Sequence, residues 1–243
     1  MANAQEQPRA EPRVTWHLDG APAGRDWIRS AKLPGEGVAR SRFVIARDGV
    51  LAPRAGGSDE RTFAVNYGVG SAEYFSFWVE SQAGHGLAWT STPLPADRVL
   101  AGSPVIQLDV AADRTDANVF AYLEELAPDG KAEVISFGRL AASRRRLSHA
   151  PYDTLGLPWQ SGLSTDREPL TPGRFVPMRF ALTPAGRIVR AGQRLRVVVT
   201  GADPRQRNLA DLREDPAPRI TVRSGARHSW LEVPLLPAGI RPD

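Results

Sequence analysis

The stretch from Pro104 to Leu140, "PVIQLDVAADRTDANVFAYLEELAPDGKAEVISFGRL", decides the fold. Apolar side chains alternate through it with a period of two. Ile106, Leu108 and Val110 fall on one side, and Val105, Gln107 and Asp109 on the other. Further on, Val119, Ala121 and Leu123 oppose Phe120, Tyr122 and Glu124. Such alternation marks strands with one face against a core. Pro128-Asp129-Gly130 supplies a hairpin turn, because Asp-Gly tolerates positive φ. Acids recur in the stretch, among them Asp109, Asp113, Asp116, Glu124, Glu125 and Asp129. Calcium favours several oxygen ligands from one loop, and "DVAADRTDAN" offers Asp109, Asp113, Asp116 and Asn118. No Glu closes that loop, however, and Arg114 places a positive charge inside it. Asp and Asn also favour tight turns by bonding their own backbone. The acids are therefore expected in turns and on the solvent face of strands.

The same alternation extends outward. Leu195, Val197 and Val199 share a face, as do Leu231, Val233 and Leu235. "RVTWHL", "DWIRSAKLP", "GLAWTST", "RFVPMRFALT" and "APRITVRS" read as further short strands, and Arg47-Asp48-Gly49 as a second hairpin turn. "AEYFSFWVES" suits a helix or an extended segment. No long amphipathic helix and no repeat of solenoid length is present. Gly 22 and Pro 21 supply the punctuation that many short strands need. The pattern predicts an all-β chain, a jelly-roll β-sandwich over residues 13–243 behind a flexible N-terminal tail over 1–12.

Composition limits the function. Net charge is +4 with a pI near 9.9, which would suit nucleic acid. Yet Lys32 and Lys131 are the only lysines, so 29 of the 31 basic side chains are arginine, scattered among 27 acids. Arginine forks to carboxylates, and pairing with neighbouring acids is expected rather than nucleic-acid binding. The one tight basic run is Arg144-Arg145-Arg146. Cysteine is absent, which removes disulfides, thiolate nucleophiles and Cys-ligated zinc. No stretch approaches the ~20 apolar residues of a membrane span, and "MANAQEQPRAEPR" lacks the apolar core of a signal peptide. A cytoplasmic location without membrane contact is expected.

Catalytic motifs are missing as well. No Gly-x-Ser-x-Gly elbow occurs. His17, His85, His149 and His228 lie far apart, outside any zinc spacing. No P-loop occurs, and "GVGSAE" lacks a βαβ setting. Ser148, His149 and Asp153 are neighbours in sequence, whereas triads are assembled by folding. No catalytic residue, metal site or cofactor is expected.

Several segments, taken in order, resemble the C-terminal non-catalytic domain of the X-Pro dipeptidyl-peptidase and cocaine esterase family, the CocE/NonD hydrolases. Thr90, Ser91, Pro93 and Leu94 match its Thr-Ser-x-Pro-Leu opening. Gly102-Ser103-Pro104 matches a Gly-x-Pro turn, Asp116 and Phe120 an aspartate turn before an aromatic strand, and Pro128-Asp129-Gly130 the later turn. "LTPGRFVPMRFALTPAGRIVRAGQRLRVVVTGADPRQR" and "RHSWLEVPLLP" resemble the closing segments, and "VTWHLDGAPAGRDWIRSAKLP" the start. Gln193 departs from the family's usual His, and Phe137 from a frequent acid. The resemblance implies a galactose-binding-domain-like jelly roll that follows an α/β-hydrolase domain. The family's Ser, Asp and His lie in that other domain, so no residue here inherits their roles.

Two functions from different classes follow. The chain is expected to be the accessory domain or subunit of a serine esterase or dipeptidyl-peptidase, with an α/β-hydrolase domain as partner. The alternative is a free-standing carbohydrate- or ligand-binding module. An enzyme using paired carboxylates stands behind both, and a homo-oligomer is compatible with either. An accessory domain should expose an apolar patch rimmed by polar groups. The candidate is Ser148 to Gly162, "SHAPYDTLGLPWQSG", which gathers Tyr152, Leu155, Leu157 and Trp159. The opposing expectation is that Trp159 folds back as a lid over one end of the core.

Overall fold

A computed structural model describes residues 14–30, 39–54, 56–69, 80–203 and 213–237. The tail over 1–12 and most of "AEYFSFWVES" lie outside the described residues. The chain forms fifteen described strands and three single turns of 3-10 helix. The strands are β1 (Val14–His17), β2 (Trp27–Ser30), β3 (Ala39–Ile45), β4 (Leu51–Ala52), β5 (Glu60–Ala64), β6 (Leu87–Thr90), β7 (Arg98–Gly102) and β8 (Val105–Ala112). They continue with β9 (Asn118–Leu126), β10 (Ala132–Ala141), β11 (Val176–Ala181), β12 (Ala185–Val189), β13 (Arg194–Thr200), β14 (Arg219–Arg223) and β15 (Trp230–Pro237).

Two antiparallel sheets stack as a jelly-roll β-sandwich. The smaller runs β10-β9-β13-β6. The larger runs β12-β7-β15-β8-β14-β5, with β11 on the other edge of β8 and β3 on the other edge of β15. The alternation read from the sequence sets the faces. Ile106, Leu108 and Val110 of β8, Val119, Ala121 and Leu123 of β9, Leu195, Val197 and Val199 of β13, and Leu231, Val233 and Leu235 of β15 all enter one core. Trp89 lies fully buried within it. Both expected hairpin turns form. Gly130 takes φ +89° while the Asp129 carboxylate accepts from the Lys131 N–H. Asp48 and Gly49 are both left-handed between β3 and β4.

β14 and β15 share one edge of β8 in tandem, and residues 224–229 loop away between them. The Ser229 hydroxyl fills the gap. It accepts from the Asp109 N–H at 2.9 Å and donates to the Arg223 carbonyl at 2.6 Å. The β1–β2 hairpin covers the outer face of β7 and β12, where Leu18 and Ile28 pack on Val99, Ala101 and Leu236. Gly186 permits that approach, since a Cβ there would stand 2.2 Å from the His17 carbonyl.

The acids of the opening stretch differ from expectation in two places. Glu124 and Glu125 are buried, not on a wet face. Phe120, Tyr122 and Val198, on the outer side of the smaller sheet, are buried in a cluster of their own with Ala83. β9 is thus covered on both faces, and alternation along it separates two buried sides. Glu124 is held by Arg196 at 2.7 Å, the Gln82 N–H at 2.7 Å and the Ser81 hydroxyl at 3.2 Å. Glu125 and Glu133 clamp Arg187, which crosses from the larger sheet, at 2.8 and 2.9 Å. Burial pushes the Arg187 pKa down, but the two carboxylates outweigh it and hold the guanidinium above its ordinary value.

Candidate docking surface

β10 ends at Ala141, and the chain leaves the sandwich through a 3-10 turn over Ala142–Arg144. Asp116 fixes that exit. Its carboxylate accepts from the Ala117 N–H, the Ser143 N–H and the Ser143 hydroxyl. Asp113 likewise accepts from the Arg219 N–H and lies 3.2 Å from Arg114. Asp109 meets His228 and Arg223. Each acid of the loop thus has a protein partner. Among the described residues no three His, Asp or Glu side chains are grouped to hold a metal ion.

The segment that follows crosses the surface as far as Leu170 with only one further 3-10 turn, Ser164–Asp166. Three consecutive arginines pin it. Arg144 donates to the carbonyls of Gly162 and Leu163. Arg145 donates to the carbonyls of Ala142 and Glu168 and pairs with the Glu168 carboxylate at 3.1 Å. Arg146 lies 3.5 Å from Asp166, whose other oxygen accepts from the hydroxyls of Ser161 and Ser148. The Ser148 N–H meets the Trp159 carbonyl, and the Gln160 amide donates to the Arg179 carbonyl on the open edge of β11. Arg144 and Arg145 are spent on this loop, while Arg146 stays exposed with one ion-pair contact.

On this frame the apolar side chains point outward. Among the described residues six large apolar side chains stand exposed, and four of them come from this segment: Leu147, Tyr152, Leu155 and Leu163. Tyr152 is 62% exposed and meets Trp159 edge-on, with ring centroids 6.3 Å apart. Leu157 and Trp159 are half-buried. Leu155 takes φ +55°, uncommon for a leucine, in a turn closed by the Asp153 carboxylate on its own N–H. An open groove of about 400 Å³ runs between His149, Tyr152 and Trp159. The structure thus brings Tyr152 and Trp159 together. Leu147 and Leu163, which flank the segment singled out in the sequence, extend the exposed set at both ends. Ser148, His149 and Asp153 do not form a triad: Ser148 faces Asp166 and Asp153 caps Leu155.

The X-Pro dipeptidyl-peptidase C-terminal non-catalytic domain matches residues 7–214. The chain belongs to this family. Two proteins named as serine esterases, from Mycobacterium bovis and Mycobacterium tuberculosis, are each 31% identical over 232 residues, 86% of this chain and 36% of theirs. The chain therefore spans about a third of the length of these curated relatives. Solved structures share the fold. An aminopeptidase from a marine-sediment Thaumarchaeota archaeon superposes with a TM-score of 0.69 at 19% identity, over 94% of this chain and 41% of that one. A CocE/NonD family hydrolase from Staphylococcus aureus gives 0.68 at 15% identity, over 95% and 43%. Among the described residues no helix is long and apolar enough to cross a membrane.

Proposed function

We propose that residues 13–243 act as the non-catalytic jelly-roll partner of an α/β-hydrolase domain or subunit, and that this chain supplies no catalytic group of its own. The observation that carries this reading is the stapled loop of residues 147–163. It holds Leu147, Tyr152, Leu155 and Leu163 exposed on a backbone whose bonds are already made. Large apolar groups gathered on one surface mark an interaction site, and aromatic anchors are favoured at interfaces. A loop fixed in advance loses little entropy on docking. Tyr152, Leu155, Leu157 and Trp159 form the centre of this interface. The covered share of the relatives' length agrees with a domain that works beside another.

A second reading, a ligand-binding module, rests on an open groove of about 570 Å³ on the outer face of the larger sheet, lined by Glu60, Thr62, Phe175, Arg219 and Thr221. It ranks behind because that lining largely satisfies itself. Thr62 bonds Thr221, and Glu60 bonds Arg223, whose guanidinium covers Phe175.

The test is to mix the chain with the part of the mycobacterial relatives outside the aligned third and follow co-elution and affinity. Binding is expected, with Tyr152→Ser/Leu155→Ser abolishing it while the melting midpoint of the chain stays within about 2 °C. Failure to bind, or binding indifferent to that double substitution, would overturn the proposal.

A further inference from the structure

The apolar loop lies against the open edge of β11, and β11 carries an arginine whose chemistry is unfinished. Arg179 sits in register with Gln107 of β8, which in turn sits opposite Trp230 of β15. All three therefore share the outer face of the larger sheet. The Arg179 guanidinium lies 5.2 Å from the centre of the Trp230 ring, and Arg42 lies over the same ring at 4.0 Å. Arg42 has a counter-ion, Glu232, at 3.5 Å. Arg179 has none among the described residues. Its Nε is buried and makes no hydrogen bond. Every other half-buried arginine among the described residues, Arg61 and Arg196 included, donates at least one side-chain hydrogen bond.

The buried Nε lies beneath the chain's own atoms, out of a partner's reach, and its missing acceptor is a cost to the fold. The two terminal nitrogens are not buried and also make no hydrogen bond among the described residues; Trp230 holds the guanidinium by cation–π attraction, which leaves these terminal donors free for an anion. The loop supplies continuity: Gln160, next to Trp159, donates to the Arg179 carbonyl at 2.8 Å. The guanidinium itself reaches across β8 toward Trp230, and arginine and tyrosine are both favoured at interface centres.

We propose that Arg179 is the charged anchor of the docking surface and that the protein partner presents a carboxylate to it, beside an apolar area that covers Tyr152 and Leu155. This rests on the docking reading above and specifies its partner's chemistry. A carboxylate fits better than a nucleic acid, because Glu232 lies on the same face and would repel a run of phosphates.

The test measures affinity for the same mycobacterial hydrolase segment by titration calorimetry, with Arg179→Met, Arg179→Lys and Tyr152→Ser/Leu155→Ser. Arg179→Met is expected to weaken binding by about thirtyfold or more, as loss of one member of a desolvated charge pair does. Arg179→Lys should recover part of the loss. Wild-type affinity should fall as salt rises from about 0.05 to 0.5 M, and that dependence should shrink in Arg179→Met. The melting midpoint of Arg179→Met alone should stay within about 2 °C, because the lost cation–π contact with Trp230 is offset by removal of a buried unsatisfied donor. If Arg179→Met binds like wild type while Tyr152→Ser/Leu155→Ser does not, the anchor is refuted and the docking surface stands. If Arg179→Met melts well below wild type, Arg179 serves Trp230 and the anchor role is refuted. If nothing binds, both proposals fall.

Discussion

Replacing Glu124 with Ala should be among the most damaging single changes to the sandwich. The carboxylate is fully buried, and three donors converge on it: Arg196, the Gln82 N–H and the Ser81 hydroxyl. Arg196 is itself only 15% exposed. Truncation leaves a largely buried guanidinium and a buried backbone N–H without this acceptor. Removing one member of a buried ion pair costs about 3–5 kcal/mol. Some of the Arg196 surface reaches solvent, so the lower part of that range is expected. For a domain of this size each kcal/mol moves the melting midpoint by about 2–4 °C, so the drop should be roughly 6–12 °C. The assay is urea unfolding followed by tryptophan fluorescence, with calorimetry for the midpoint. Glu124→Leu/Arg196→Leu should lose less than Glu124→Ala, because no orphaned charge remains. A loss below about 1 kcal/mol in Glu124→Ala would refute the reasoning. It would show that Arg196 swings to water and that the Gln82 N–H finds another acceptor.

Asp166→Ala should loosen the docking loop without unfolding the sandwich; hydrogen exchange at the Ser148 and Leu163 amides should rise while that of β8 and β9 stays unchanged. Asp97 is held below its ordinary pKa first by the Ala191 N–H and then by Arg190, and Asp26 is lowered by backbone hydrogen bonding and by His17. A folded-state pKa below the unfolded one contributes stability above about pH 4 that is lost as pH falls through the folded value. The acid limb of a melting-temperature profile should therefore be shallower in Asp97→Asn than in wild type, and equal slopes would contradict this. The chain alone should not hydrolyse p-nitrophenyl esters, and no serine should be labelled by a fluorophosphonate.

Much of the sandwich is legible in the sequence because one alternation governs it. β8, β9, β13 and β15 each show their core face as a period of two, and the Asp-Gly turns fix two hairpins. β5 and β12 are harder to see. Glu60 and Arg61 read as the end of a polar loop, and β12 spans only Ala185–Val189 behind a proline. Both strands are held by partners distant in sequence, β14 and β7, which no local pattern displays. The burial of Glu124 and Glu125 is hidden for a related reason. An acid in an alternating strand looks like a solvent position, and only the arrival of Arg196 and Arg187 from other strands makes the site tolerable. The exposed apolar segment was visible as a cluster of large apolar residues in a Pro- and Gly-rich loop. The arginine triplet was visible too, but its use depends on carbonyls and acids up to 23 residues further along.

That use ties the chain's basic character to the docking surface. Left to itself, a loop rich in proline, glycine and exposed leucine would gain by folding its apolar groups back onto the core. Arg144, Arg145 and Arg146 oppose this by bonding the backbone and the acids of residues 162–168, so the loop is closed by polar bonds and its leucines remain outside. Arg144 and Arg145 would be poor surface bait for phosphate, because they already donate to the loop's carbonyls. Arg179, one strand away, is the exception, and it is the one half-buried arginine whose side chain the fold leaves without a hydrogen bond among the described residues. An exposed apolar loop and an unsatisfied charge, each unfavourable alone, become favourable together when a single acidic and apolar surface covers both.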